Sequence, residues 1–341
     1  MCDDRNLAGC IADFRVPDYL LWALLLPVFI VLFGIEYSYA DELATGGLQK
    51  RKTEISGLLG QRRIYRYFLP SHYDSDKIYP VVIALHGGVS HGRNIRHRSN
   101  LDQIAEREGF IAVYPEGNGL GPFLKHWNAG TCCAQAMKAG VDDVGFILHI
   151  IDELSASLSV DRTRIYVFGF SNGAMLAYQI AAIKPQRIAA IAAVSGTFGR
   201  VNETGEFDWS LPMPDLPVPT MIVHGADDPR LPFGGIKNLK DKRNGLGMIP
   251  VLEGAKFWAR SNGCVALGKQ ISSGFKNVNL TLWPHCKSRS EVRLYRLDGW
   301  KHSWAGASPK TGSDYNRVGR FETAEVIWEF FKRFRRSQPL Q

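Results

Sequence analysis

The sequence predicts an α/β domain with a mostly parallel central sheet flanked by helices. The chain has 341 residues, 45% hydrophobic and 11% aromatic, which is enough to bury a sizeable core and too apolar for a disordered chain. Strand-like and helical segments alternate through most of the chain, as in parallel sheets with crossover helices. Four strand-like runs are almost wholly apolar, which is typical of central strands covered on both faces. These runs are Val81–Leu85, Arg164–Gly169, Ile188–Val194 and Thr220–His224.

The remaining elements are predicted from shorter patterns. Further strands are predicted at Arg63–Leu69, Phe110–Tyr114 and Val292–Leu297. Apolar residues recur at helical spacing in three segments. These segments are Val141–Leu158, Asn172–Ile183 and Glu322–Phe334. Runs rich in Pro, Gly and Lys at 202–219 and 229–250 interrupt the alternation, and we expect them to form lid-like insertions that cap or line a site.

The first 40 residues have the composition of a targeting segment. Residues 19–35 are apolar and uncharged, and Ser38 and Ala40 fit a small-x-small cleavage site. The run is at the short limit for spanning a bilayer and contains Pro27, which favours a cleaved signal peptide over a membrane anchor. The residues before it are acidic, unlike a signal peptide, so an uncleaved anchor and a misassigned start are the alternatives. Signal peptide and anchor both predict a domain outside the cytoplasm, secreted or periplasmic.

The rest of the chain divides into three predicted segments. Polar residues 41–60 are predicted to be a linker, 61–336 the α/β domain, and 337–341 a tail. The net charge of +8 is compatible with several anionic partners or with solubility alone. The sequence has no zinc-finger spacing, helicase loop or RNA-recognition signature, so we predict no nucleic-acid partner.

Four cysteines follow the targeting segment, and export would place them in an oxidising compartment. We predict a disulfide between Cys264 and Cys286, because they bracket a polar, Gly- and Ser-rich stretch at 265–290 that has little else to hold it. Adjacent Cys132 and Cys133 could form a vicinal bridge or stay as buried thiols, with a slight preference for thiols.

A serine between two glycines carries the strongest functional signal. The segment Gly169-Phe170-Ser171-Asn172-Gly173 follows a predicted strand and opens a predicted helix. In a nucleophile elbow, the small flanking residues permit a tight turn that projects the serine hydroxyl from the sheet edge. Ser171 is therefore the predicted nucleophile, and a structural serine in a tight turn is the alternative.

A serine hydroxyl needs a base, and the base needs an orienting acid, expected in the chain order serine, acid, histidine. Two candidate acids, Asp227 and Asp228, follow the predicted strand that ends at His224. The predicted base is His302, which follows the last predicted strand. An ordinary exposed loop histidine is the alternative for His302.

The developing oxyanion of an acyl-transfer intermediate needs two backbone N–H donors. One is predicted to be Asn172, the residue after the nucleophile. The second should come from the loop after the strand that ends at Leu85, where glycines let the backbone approach a substrate closely. Gly88 and Val89 are both candidates, and a structural turn is the alternative.

The chain resembles the secreted esterases related to polyhydroxybutyrate depolymerase and feruloyl esterase, within the α/β-hydrolase superfamily. The resemblance covers about residues 60 to 335 and rests on ordered motifs. These are ALHGG at 84–88, EREGFIAVYPEG at 106–117, WNAGTCC at 127–133, VDDVGFI at 141–147, GFSNGAMLAYQIA at 169–181, HGADDPRLPFGG at 224–235, FWARSNGC at 257–264 and DGWKHSWAG at 298–306.

The resemblance implies an α/β-hydrolase fold and the identity of the acid. In the family pattern the acid directly precedes a proline, which is Asp228 here. Trp127 and Asn128 match positions beside the serine, where they would contact substrate or form a hydrogen-bonded scaffold. Trp300 and Trp304 are candidates to stack on a phenolic or sugar ring, with packing as the alternative.

The chain departs from the family pattern at two places near the expected site. Relatives usually carry a further glycine where Val89 stands, and glycines where Trp300 and Lys301 precede the histidine. These departures make the substrate of any relative a poor guide to the substrate of this chain.

These residues predict a secreted serine carboxylic ester hydrolase that forms an acyl-enzyme and needs no metal and no cofactor. Its expected partners are ester substrates: polyhydroxyalkanoate polyesters or oligomers, or feruloyl or acetyl esters of plant polysaccharide. The alternatives are a serine peptidase of the same fold and a non-catalytic binding protein.

Overall fold

The computed structural model describes residues 46–57, 60, 62–119, 124–130, 132, 134–201, 206–208, 211–236, 247–306 and 318–337. The predicted targeting segment at 1–40 and most of the predicted tail lie outside these residues. Within the described ranges, no helix has the length and apolar character needed to cross a bilayer. The apolar run at 19–35 is not among those ranges, so its interpretation stays a prediction.

Ten of the twelve described strands form one sheet whose centre is parallel. In chain order the strands are β1 Gly47–Ser56, β2 Arg62–Leu69, β3 Tyr79–Leu85, β4 Ile111–Pro115, β5 Val160–Phe170, β6 Ala190–Val194, β7 Arg200–Val201, β8 Phe207–Asp208, β9 Thr220–Gly225, β10 Lys269–Ser272, β11 Val278–Trp283 and β12 Val292–Leu297. The order across the sheet is β1-β2-β4-β3-β5-β6-β9-β12-β11-β10, and β7 and β8 pair separately. The six strands from β4 to β12 in this order run parallel to one another. Antiparallel pairing adds β2 and β1 beyond β4, and β11 and β10 beyond β12.

Helices cover the sheet on both faces. In chain order they are α1 Gly92–Ser99, α2 Leu101–Glu108, α3 Ala134–Lys138, α4 Asp143–Ser157, α5 Asn172–Ile183, α6 Val251–Ser261 and α7 Thr323–Phe331. Apolar side chains of α1, α2 and α7 form one continuous core with alternate residues of the central strands. Helices α4, α5 and α6 pack on the other face, and most residues of α5 are buried. Burial on both faces explains why the central strands are apolar throughout.

The structure confirms the predicted fold class and extends it at both sheet ends. Within the segment that the sequence predicts to be a linker, at 41–60, residues Gly47–Ser56 form β1, which pairs antiparallel with β2. The stretch between Cys264 and Cys286 contains two strands, β10 and β11, that the polar sequence did not suggest. All four residues of β10 are exposed, so this edge strand has no apolar alternation from which to predict it.

The predicted disulfide between Cys264 and Cys286 is present. It joins the end of the α6 segment to the turn that follows β11. Cys132 is also disulfide-bonded, which contradicts the slight preference for thiols. Cys133 lies outside the described residues.

Candidate active site

The turn from β5 into α5 places Ser171 at the carboxyl edge of the sheet. Ser171 has φ 53° and ψ −118°, a strained conformation that aims the side chain out of the turn. The turn is too tight for side chains at its glycines: a Cβ on Gly169 would lie 2.2 Å from the carbonyl carbon of Gly173. A Cβ on Gly173 would lie 2.5 Å from the carbonyl oxygens of Leu85 and His86. This geometry is that of a nucleophile elbow.

The three predicted triad residues meet although they are far apart in sequence. Ser171 follows β5, Asp228 follows β9 and His302 follows β12, and the carboxyl ends of parallel strands share one edge. His302 Nε2 lies 3.0 Å from Ser171 Oγ, and His302 Nδ1 lies 2.7 Å from Asp228 Oδ2. Since a carboxylate accepts, Nδ1–H donates to Asp228 and leaves Nε2 to accept from the serine hydroxyl.

Asp228 is held as a carboxylate by donors on both of its oxygens. Oδ1 accepts from the backbone N–H groups of Arg230 and Leu231 at 2.8 and 2.9 Å. His224 Nε2, which donates to the Leu231 carbonyl, also lies 3.4 Å from Oδ2. Burial acts to raise the pKa of Asp228, but hydrogen bonds from His224, His302 and Leu231 outweigh it and lower that pKa well below its ordinary value. Asp227 is exposed, so the geometry favours Asp228 as the acid.

Backbone donors for an oxyanion lie next to the serine. The N–H groups of Asn172, Gly88 and Val89 make no hydrogen bond to any part of the chain that the structure describes. Gly88 packs against Asn172, since a Cβ on Gly88 would lie 3.7 Å from Asn172 Cβ. Val89 has φ 54°, a left-handed conformation that favours glycine.

His86 fixes the loop that carries these donors. It is fully buried, its Nδ1 donates to the Gly87 carbonyl at 2.7 Å, and its Nε2 accepts from Gly117 N–H at 2.9 Å. Burial lowers the pKa of His86 to about 4, so the ring is neutral near pH 7 and can accept at Nε2. His86 is not among the site residues predicted from the sequence, although its place directly before Gly87 and Gly88 was the available signal.

Trp127 connects the loop after β3 to the elbow. Its indole Nε1 donates to the His86 carbonyl at 2.8 Å, and its backbone exchanges two hydrogen bonds with the Asn172 side chain at 2.7 and 3.1 Å. The next residue, Asn128, donates its N–H to Asp143 at 2.6 Å. Asp143 in turn forms a buried ion pair with Arg63 at 2.5 Å. Arg63 could not be predicted as part of the site, because a charged residue within a strand pattern gives no sign that it is buried.

The aromatic candidates for substrate contact are buried. Trp127, Trp300 and Trp304 are 0%, 6% and 4% exposed. Trp300 Nε1 donates to the Ser303 carbonyl at 2.9 Å, and Trp304 packs against Phe168. The side-chain amide of Asn128 donates to the Val141 carbonyl at 2.8 Å. Burial and these bonds favour the packing and scaffold alternatives for all four residues.

The described residues contain no group of three or more His, Cys, Asp or Glu side chains arranged to hold a metal ion. The chemistry of the site as described is that of a hydroxyl, an imidazole, a carboxylate and backbone donors.

Comparison with known proteins supports this interpretation of the fold. The phospholipase/carboxylesterase family model matches residues 137–245, which include Ser171 and Asp228. The solved structure of an acetyl xylan esterase from Aspergillus awamori superposes with a TM-score of 0.57 at 18% identity, covering 84% of this chain and 99% of that one.

The matches to curated relatives cover a smaller share of the relative's own length than the match to this solved structure does. The chain is 28% identical over 175 residues to NocK of Nocardia uniformis, covering 50% of this chain and 46% of NocK. It is 28% identical over 256 residues to the bifunctional acetylxylan esterase/xylanase XynS20E of Neocallimastix patriciarum, covering 73% of this chain and 32% of that protein. It is 26% identical over 253 residues to a protein named probable feruloyl esterase C of Aspergillus clavatus, covering 72% and 78%.

The chain thus spans about half or less of the first two relatives. The chain thus has an α/β-hydrolase fold, and the relatives that it matches include proteins named as feruloyl and acetylxylan esterases.

Proposed function

We propose that the protein is a serine carboxylic ester hydrolase that works through an acyl-enzyme. The observation that carries this proposal is the continuous hydrogen-bonded line from Ser171 Oγ through His302 to Asp228 at an elbow with strained backbone. Esterase names among the relatives point the same way.

In the proposed mechanism, His302 Nε2 takes the proton of Ser171 as Oγ attacks the ester carbonyl carbon. Asp228 holds the imidazole in the required tautomer and stabilises the imidazolium. The N–H of Asn172 and that of Gly88 or Val89 stabilise the oxyanion. The imidazolium then protonates the leaving alcohol, and a water activated by His302 hydrolyses the acyl-enzyme.

For the substrate we propose esters of the two kinds that the sequence suggested: feruloyl or acetyl esters of plant polysaccharide, or hydroxyalkanoate oligomers. We also propose that the chain is exported, on the evidence of the apolar segment at 19–35 and its small-x-small site. Amino-terminal sequencing of exported protein tests the proposal of export, since cleavage after Ala40 gives a chain that starts at Asp41.

Ser171→Ala tests the proposed reaction. It should lower kcat/KM on methyl ferulate and on a soluble 3-hydroxybutyrate oligomer by more than about a thousandfold, because the nucleophile acts as one unit with its base. Ser155→Ala, on α4, is the matched control and should keep wild-type kcat/KM. Intact-mass spectrometry after an activated ester should show an acyl adduct on the wild type and none on Ser171→Ala. Retained hydrolysis in Ser171→Ala would overturn the proposal, and cleavage of peptide p-nitroanilides instead of esters would favour a peptidase.

A further inference from the structure

A cleft beside His302 carries an unbalanced positive charge. It has a volume of about 360 Å³ and is bounded by the loop after β3, by α1, by Phe170 and by the loop after β9. Two arginines line it, Arg98 from α1 and Arg230 from the loop after β9. No Asp or Glu is among the described residues that line this cleft.

Neither arginine is committed to a partner carboxylate. Both side chains are exposed, and within the described ranges neither guanidinium makes an ion pair or a hydrogen bond. The neighbouring Arg96 differs, since its guanidinium pairs with Asp102 at 2.5 Å. Asp228 is near Arg230 in sequence, but it accepts from the backbone N–H of Arg230 and not from its side chain.

The cleft is connected to the reacting groups through Phe170. The Arg98 guanidinium lies 6.0 Å from the centre of the Phe170 ring, within the range of a cation–π contact. The same ring lies 5.2 Å, centre to centre, from the ring of His302. Arg230 reaches the cleft from the loop that carries Asp228. His302 and the candidate oxyanion donors Gly88 and Val89 line the same cleft, so a group bound there would belong to the molecule whose ester reaches Ser171.

We propose that Arg98 and Arg230 bind a free carboxylate on the substrate, in its acid half or its alcohol half. This inference rests on the proposed function. A guanidinium offers paired N–H donors that match a carboxylate, and positive charge in a concave cleft attracts anions more strongly than on a flat surface. Hydroxyalkanoate oligomers end in such a carboxylate, and uronic acid residues carry one in polysaccharides.

Matched esters that differ only in charge test the proposal. For the alcohol half, the pair is 3-acetoxybutyrate and 3-acetoxybutyramide; for the acid half, it is monoethyl succinate and ethyl succinamate. At low ionic strength, where exposed charges are least screened, the wild type should prefer the carboxylate by about tenfold in one pair. The pair that shows the preference identifies the half that carries the anion.

The double variant Arg98→Gln/Arg230→Gln should reduce this ratio of kcat/KM values to about one, because both charged donors are removed. Arg93→Gln, another exposed arginine on α1 outside the cleft, is the matched control and should keep the wild-type ratio. A wild-type ratio near one in both pairs, or an undiminished ratio in the double variant, would overturn the proposal.

A binding measurement separates this proposal from the proposed reaction. Ser171→Ala protein is titrated by calorimetry with the same four compounds, with and without the two arginine substitutions. The preferred carboxylate should bind about tenfold more weakly to the arginine-substituted protein. Equal affinities would overturn the carboxylate site whether or not the esters are hydrolysed. Conversely, binding without hydrolysis by the wild type would overturn the esterase and keep the site.

Discussion

Ser171 and Val89 both have a positive φ, at 53° and 54°. A non-glycine residue held in such a conformation costs about 1–3 kcal/mol. At Ser171 this conformation places Oγ within hydrogen-bond distance of His302, so the strained backbone is part of the geometry of the triad. Val89 is 61% exposed, so little burial of its side chain offsets the strain.

Val89→Gly should raise the free energy of unfolding by about 1 kcal/mol, because relief of strain exceeds the extra entropy of glycine in the unfolded chain. Urea unfolding at neutral pH measures it. Val89→Ala is the control: it keeps a Cβ and should show no gain. A glycine variant less stable than the alanine variant would contradict this account of position 89.

His86 should make stability depend on pH. Burial lowers its folded-state pKa to about 4, below the ordinary value of 6.5, so its contribution is fully present above pH 6.5 and is lost as the pH falls towards 4. The free energy of unfolding should fall by about 3 kcal/mol, since the His86 imidazole binds a proton in the unfolded chain and stays neutral in the folded one.

Urea unfolding between pH 7.5 and 4.5 should therefore show a steeper decline for the wild type than for His86→Gln. His97→Gln, an exposed histidine on α1, should keep the wild-type decline. Parallel curves for the wild type and His86→Gln would show that the imidazole is not the titrating group.

At the scale of elements, β2 and α4 are joined beneath the site by the Arg63–Asp143 pair. Both side chains are buried, and the Arg63 guanidinium also lies 3.6 Å from the centre of the Phe146 ring. Asp143 accepts from Asn128 N–H as well, which links this pair to the loop that holds Asn172. The pair thus serves as a support for the elbow.

Asp143→Asn should lower the free energy of unfolding by about 3–5 kcal/mol, because it leaves the Arg63 charge buried without its counterion. Chemical unfolding at pH 7 measures the loss. Asp142→Asn is the matched control, since Asp142 is an exposed N-cap that accepts from Gly145 N–H, and an asparagine side chain can accept the same hydrogen bond. Similar stabilities for the two variants would refute a structural role for the ion pair.

The elements that could be predicted from the sequence are those whose burial imposes a recognisable pattern of apolar residues. Helix α5 was predicted with its observed bounds, and β3, β5, β6 and β9 were found because strands buried on both faces are apolar throughout. Strand β1 was missed because one face meets solvent and its residues are mostly polar. The triad followed from chain order and turn motifs, whereas Arg98 and Arg230 come from different elements and only the fold brings them to one cleft.

At the scale of the whole molecule, the disulfide secures the end of the sheet that carries the exposed edge strand. Cys264 and Cys286 are 22 residues apart and enclose β10 and β11. The paired substitution Cys264→Ser/Cys286→Ser should lower the free energy of unfolding by about 3 kcal/mol, since it frees a closed loop in the unfolded chain. Urea unfolding without reductant measures this loss. A change below about 1 kcal/mol would mean that the strands hold this region unaided.

The triad also ties chemistry to completion of the chain. Ser171 and His302 are 131 residues apart, and β12, which precedes the histidine, forms after the other parallel strands have left the ribosome. A nascent chain that has folded only as far as β9 holds the serine without its base. In the proposed enzyme, hydrolysis is thus a late event of biogenesis, because the serine gains its base only when β12 and the loop after it have joined the sheet.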